Sequence, residues 1–208
     1  EILMTKETWK QIIYPIFFRG YEISNKGNIR TNWKKHANQY NREQQETWRE
    51  HKTFKYHKGK KTTSPNKKYV QTRLNINNDE LEKQTDHNYY KKHKNTTTRS
   101  LDVHRLVALH HIELKPSNIK GLNMTDEEWK NVSNVLKDFV RECIIVNHKD
   151  NNGLNNHVSN LEFCTQKYNT QHYYREHFTE EKRAESRKKT LEGLIRKKSV
   201  DINKQSML

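Results

Sequence analysis

One stretch constrains this chain more than any other: residues 146–169, VNHKDNNGLNNHVSNLEFCTQKYN. Ile144-Ile145-Val146 is β-branched and apolar, and Asn147 and His148 stand at its end. Asp150-Asn151-Asn152-Gly153 carries turn chemistry. Leu161–Cys164 is a second apolar run, and Thr165 can cap a polar helix in which Asn169 lies one turn in. A short strand, a turn-rich crossing, a strand and a helix read as a compact hairpin followed by a helix. That arrangement brings His148, Asn160 and Asn169 to one end.

Charge narrows the partner. The 208 residues carry 40 Lys and Arg against 25 Asp and Glu, a formal net charge of +15. Such an excess implies an anionic partner. A membrane surface is disfavoured, because no run of about 18 apolar residues occurs and the basic stretches lack a broad apolar helical face. Hydrophobic residues make up only 31% of the chain, which predicts small cores joined by solvated segments. Two cysteines, Cys143 and Cys164, cannot build a disulfide framework or a four-Cys zinc site. They are expected to be small core residues, on neighbouring strands. Nothing at the N-terminus resembles a signal peptide, and an intracellular, reducing compartment is expected (cytoplasmic, nuclear, organellar or viral), not secretion.

Before the hairpin, residues 9–30 read as a first ordered unit. Tyr21–Ser24 alternates as a strand, Asn25-Lys26-Gly27-Asn28 is a turn and Ile29 starts the return strand, with Trp9, Ile13 and Phe17 packed beneath. From Trp33 to Arg73 there are twelve Lys/Arg against three Asp/Glu, interleaved with Trp33, Tyr40, Trp48, Phe54, Tyr56 and Tyr69. Two readings stand: a groove that tracks a phosphate backbone with aromatic platforms, or an insertion whose aromatics pack on its own basic stems. Tyr69–Ile76 and Thr96–Val103 read as partner strands around a long polar insertion. Val103–His111 reads as a short buried helix. Residues 125–140 read as one helix capped by Thr125, with Trp129, Val132, Val135, Leu136 and Phe139 as a core-facing stripe. Residues 179–198 read as a basic helix, either a DNA-following arm or a solvated tail.

Phosphodiester cleavage needs an activated water, a cation near the phosphate and help for the leaving oxygen. An imidazole supplies the first near neutral pH, and one hard divalent ion supplies the other two. The segments VHRLVA, VNHKDNN, the NN-x-x-x-NLEF stretch and TQKYN occur in that order, with His148 twelve residues before Asn160 and twenty-one before Asn169. This set resembles the HNH endonuclease family with the ββα-metal fold, above all the intron-encoded HNH homing endonucleases of phages and organelles. WKQI…YEISNKGNIR is similar to the small DNA-binding module often joined to such nucleases. The resemblance covers residues 9–31, 69–76, 96–111 and 144–172.

The resemblance implies His148 as general base, Asn160 as the residue that holds and polarises its ring, and Asn147 and Asn169 as metal ligands. The ion would be Mg²⁺, with Mn²⁺ as the alternative. Position 147 is Asp in well-known members, so the neutral Asn147 weakens the free site and the substrate phosphate is expected to help complete it. Asp150 reads as a turn-capping carboxylate, His104 and Arg105 as packing behind the site, and His157 and His172 as surface or DNA-contacting groups. The implied activity is metal-dependent cleavage of double-stranded DNA, most simply a nick by a monomer. The alternatives are a catalytically inactive HNH-fold protein that binds nucleic acid, as in packaging or a ribonucleoprotein, and an RNA-directed protein. The basic residues expected at the nucleic acid are Arg30, Lys34, Lys35, Lys60, Lys61, Lys67, Lys68, Arg105, Lys149, Lys167, Arg187 and Lys188.

The expected fold class is α+β, built as a β-rich module over 1–100, a ββα nuclease core over 101–177 with a helical insertion at 112–142, and a basic C-terminal helix over 178–208.

Overall fold

A computed structural model of the chain describes residues 6–34, 44–57, 68–84, 96–177, 180–181, 184–185 and 187–192. It divides into two compact units, Glu1–Thr165 and Gln166–Leu208.

In the first unit, the N-terminal turn chemistry does what its residues dictate. Strands β1 (Trp9–Gln11), β2 (Tyr21–Ser24), β3 (Ile29–Trp33) and β4 (Gln44–Glu50) form an antiparallel sheet in that order. Gly27 takes φ +87°, which suits glycine, and the Ser24 hydroxyl accepts from the amides of Lys26 and Asn28. The side chains beneath this sheet differ from expectation by one position each. Ile12 and Phe18 are fully buried, whereas Ile13 and Phe17 face out. Backbone hydrogen bonds set this choice: Ile12 N–H donates to Tyr21 O and Phe18 N–H to Ile12 O, so the segment folds back on itself instead of alternating.

A second sheet orders β5 (Thr53–His57), β6 (Lys68–Asn77) and β7 (Thr96–Asp102), all antiparallel. Helix α1 (Asn78–Glu82) follows β6 directly, with the Asn77 side chain capping Asp79 N–H. Helix α2 (Val103–His111) occupies the expected span. Its Val103, Leu106 and Val107, at helical spacing, enter one core cluster with Ile12, Phe18, Ile23, Leu74, Val146 and Phe163. Each such fully buried side chain contributes about 1.5–3 kcal/mol. The N-terminal sheet, α2 and the 146–163 region therefore share one core.

The expected helix over 125–140 is two helices, α3 (Asp126–Lys130) and α4 (Asn134–Cys143). Thr125 and Glu128 form a reciprocal capping box on α3, and the Ser133 hydroxyl accepts from Leu136 N–H to start α4 afresh. The apolar stripe expected in the core is not there: Val135, Leu136 and Phe139 are 78%, 55% and 61% exposed. Cys143 ends α4 and is exposed, so it is not the buried strand residue expected; Cys164 is.

The third sheet orders β8 (Ile119–Lys120), β10 (Leu161–Cys164) and β9 (Ile145–His148). β9 and β10 are antiparallel, pairing Leu161 with His148, Glu162 with Asn147, Phe163 with Val146 and Cys164 with Ile145. β8, a strand of two residues with no sequence signal of its own, pairs parallel to β10.

The second unit contains helix α5 (Gln166–His177), whose Tyr168 ring stacks on His172 and lies under the Arg175 guanidinium. Residues 187–192 are helical and exposed; Thr179, Lys182, Arg183, Ser186 and residues 193–198 of the expected basic helix lie outside the described residues. No helix among the described residues is long and apolar enough to cross a membrane.

Candidate active site

The β9–β10 register places side chains on two faces. His148 shares one with Val146, Leu161 and Phe163, which belong to the core. That is why His148 is buried, at 6% exposure. Two further elements supply its walls. Tyr69 on β6 sets its ring centroid 5.9 Å from the His148 ring, and His104 on α2 sets its own 5.1 Å away. Tyr69 and His104 are 5.6 Å apart, so the three rings form a nest.

The His148 ring has a polar partner that the sequence did not single out. Nε2 lies 3.1 Å from Asn156 Oδ1, and Asn156 is itself buried. An amide oxygen can only accept, so Nε2 carries the proton and Nδ1 keeps the lone pair. Burial pushes the His148 pKa below the usual imidazole value, against the Asn156 hydrogen bond and the nearby Asp150 charge, which pull it up. The ring is thus neutral near pH 7 and presents one basic nitrogen.

Asn160, expected on that ring, works elsewhere. Its Oδ1 accepts from Asp150 N–H at 3.1 Å, and its Nδ2 donates to Asp150 Oδ1 at 2.9 Å and Asn155 O at 2.8 Å. All three bonds close the crossing between the strands. Asp150 caps that crossing as expected, accepting also from Asn152 N–H and the Asn155 amide. Burial works against its charge, yet the amides of Asn155, Asn152 and Asn160 outweigh it and hold the carboxyl below the usual range. Asn151 takes φ +57°, the left-handed region Asn tolerates. Lys149 is exposed and donates to Ser159 O at 2.8 Å.

The crossing is braced from outside. Val158 N–H donates to Asn25 O at 2.8 Å, and a Cβ added at Gly27 would lie 2.8 Å from the Asn156 Cβ. The N-terminal turn therefore presses on the residue that holds His148.

On the other face of the hairpin, Asn147 stands opposite Glu162, and its Nδ2 donates to Glu162 Oε1 at 3.0 Å. Both residues are buried. Cys164, two residues along that face, has its thiol pushed up to about 12 by burial and by the Glu162 charge. Among the described residues no three His, Cys, Asp or Glu converge on one point. Asn169 is half-buried on α5, in the second unit.

Several basic residues expected at nucleic acid are engaged within the protein. Arg105 donates through Nη1 to Ile144 O at 2.6 Å and through Nη2 to the Arg141 and Glu142 carbonyls, clamping the end of α4 onto the start of β9. Arg30 pairs with Glu22 at 2.6 Å and lies between the Trp9 and Trp48 rings, 4.4 and 4.9 Å from their centroids. Trp9, Arg30 and Trp48, with Asn28, Arg49 and Glu50, line a cleft of about 360 Å³. Arg73 likewise covers Phe54 at 5.0 Å. Trp48 and Phe54 of the basic stretch thus lie against arginines of the protein itself, whereas Tyr69 lies against His104 and His148. Lys34, Lys167, Arg187 and Lys188 are exposed. Lys68 begins β6, and Lys35, Lys60, Lys61 and Lys67 lie outside the described residues. His157 accepts from Ser159 N–H as a local cap.

The chain matches no protein-family model and no curated protein. Among solved structures it is similar to that of the HNH homing endonuclease I-HmuI, described as showing DNA binding and cleavage by that enzyme, with 21% identity and a TM-score of 0.38. The alignment covers 87% of this chain and 66% of the other, so the chain spans just under two thirds of that endonuclease.

Proposed function

We propose that this chain is a metal-dependent endonuclease of the HNH homing type that hydrolyses a phosphodiester of double-stranded DNA, leaving a 5′-phosphate and a 3′-hydroxyl. One observation carries the reading: a buried neutral imidazole, His148, fixed by Asn156 at a strand end, one residue from an oxygen-donor pair. His148 Nδ1 takes the proton of the attacking water. Its Nε2–H stays on Asn156 and keeps the ring oriented as charge develops. Asn160 and Asp150 hold the crossing that carries Asn156.

What supports a divalent ion is donor chemistry: an amide oxygen on Asn147 beside the Glu162 carboxylate suits Mg²⁺ or Mn²⁺, not zinc. Bound there, the ion would polarise the phosphate and stabilise the leaving 3′-oxygen. Asn169 keeps, as part of the proposal, the second ligand role. The described residues offer one such imidazole, so a monomer is expected to nick one strand. The exposed lysines and arginines position the protein on phosphates.

The test is conversion of supercoiled AT-rich plasmid to relaxed circle. Relaxation with Mg²⁺ and none with chelator is expected, with duplex affinity falling steeply as salt rises. Tight binding without relaxation at any Mg²⁺ or Mn²⁺ concentration would leave an inactive nucleic-acid-binding protein. Preference for RNA in competition would shift the substrate.

A further inference from the structure

We infer that Glu162 is a positioning residue for the metal: it fixes the Asn147 amide with its oxygen turned away and supplies the negative charge that Asn147 lacks. The inference rests on the proposed nuclease reading and goes beyond it, since that reading uses Glu162 only as an oxygen donor beside Asn147 and gives it no part in orienting the amide.

The argument begins with register. Asn147 and Glu162 are directly opposed on β9 and β10, so their side chains meet on one face. Nδ2 of Asn147 is 3.0 Å from Oε1 of Glu162. An ionised carboxylate only accepts hydrogen bonds, so the NH₂ end of the amide must face it. Oδ1 is then held at the opposite end, where a hard cation would take it. Any carbonyl oxygen would satisfy that NH₂ group. A buried carboxylate is the costlier choice, and its gain is a negative charge beside a neutral ligand. The identities are also matched. Asp at position 147 would set two carboxylates against each other across the strands, each disfavouring the other's charge. Asn at 147 with Glu at 162 carries one charge and one good hydrogen bond, as Asp at 147 with Gln at 162 would.

That equivalence provides the test. Mn²⁺ uptake by the full chain is read from the electron paramagnetic resonance of free Mn²⁺, and nicking is titrated with Mg²⁺ alongside. Glu162→Gln is expected to weaken Mn²⁺ binding about 10-fold or more and to raise the Mg²⁺ concentration for half-maximal nicking, with less effect at saturating Mg²⁺. The double variant Glu162→Gln with Asn147→Asp is expected to recover both values to near wild type, which a merely structural role would not produce. Should Glu162→Gln alone fold poorly, the double variant still decides. Equal Mn²⁺ affinity in wild type and Glu162→Gln, or no recovery in the double variant, overturns the inference. A wild-type chain that nicks with Mg²⁺ yet takes up no Mn²⁺ overturns it while leaving the nuclease reading standing. A wild-type chain that does not nick overturns the nuclease reading itself.

Discussion

The protein contains two hairpins that solve different problems with similar strands. β2 and β3 close through four residues, with Gly27 at positive φ and the Ser24 hydroxyl tying the corner. β9 and β10 are joined by twelve residues, nine of them polar, and Gly153 among them does not take positive φ. The short closure makes a rigid wedge. The long one is a scaffold of Asn and Asp side chains whose purpose is to hold one more Asn against an imidazole. The first also supports the second, because the 25–27 corner packs on Asn156 and Val158. Two regions that read in the sequence as separate modules thus act on one side chain.

The largest effect that separates them should come from the long closure. Asn156→Ala removes the partner of His148 Nε2, a buried hydrogen bond worth about 1–3 kcal/mol. Nicking is expected to fall roughly 10–100-fold with duplex affinity retained. An unchanged nicking rate would show that the ring is oriented by the Tyr69 and His104 rings alone. Asn160→Ala should instead act on stability, since its amide makes three bonds within the crossing. A loss of about 1–3 kcal/mol in urea unfolding is expected, with activity following the folded fraction. Gly27→Ala probes the wedge. Its positive φ disfavours any side chain by about 1–2 kcal/mol, and the new Cβ presses on Asn156. Nicking should drop more than stability alone explains; a purely thermal effect would uncouple the two hairpins.

The smallest effect concerns acid. His110 accepts Ile13 N–H at Nε2 and meets Leu106 O at Nδ1, while His111 Nε2 meets Ile23 O. Burial lowers both imidazole pKa values below 6.5, against those backbone bonds. Lowered values mean that the unfolded chain binds protons first. The stability from neutral His110 and His111 is therefore complete above the unfolded value of 6.5 and is lost as pH falls below it toward the folded values. The urea midpoint should drop between pH 7.5 and pH 5, and less so in His110→Gln. An equal drop would place the sensitivity elsewhere.

Much of this was legible because periodicity and turn chemistry are local. Val103–His111 and Leu161–Cys164 fall where their apolar spacing places them, and Asn25–Asn28 turns as its residues require. What failed depends on which of several equivalent residues faces inward. Asn151, Asn152, Asn155, Asn156 and Asn160 are chemically alike, and only the path of the crossing selects Asn156 for the ring. Glu162 was hidden by its apolar neighbours, since LEFC reads as a plain buried strand. The 125–140 stripe misled because amphipathic spacing reports a face, not what covers it; Ser133 restarts the helix and leaves Val135, Leu136 and Phe139 exposed. Ile12 and Phe18 replaced Ile13 and Phe17 because irregular backbone between β1 and β2 obeys no period.

The most direct measurement is plasmid nicking by His148→Ala beside wild type, with duplex affinity measured on the same preparations. Loss of a positioned base should slow nicking by about 10²–10⁴-fold while leaving affinity and melting unchanged. A folded His148→Ala chain that nicks at a rate comparable to wild type would contradict the assignment of the base.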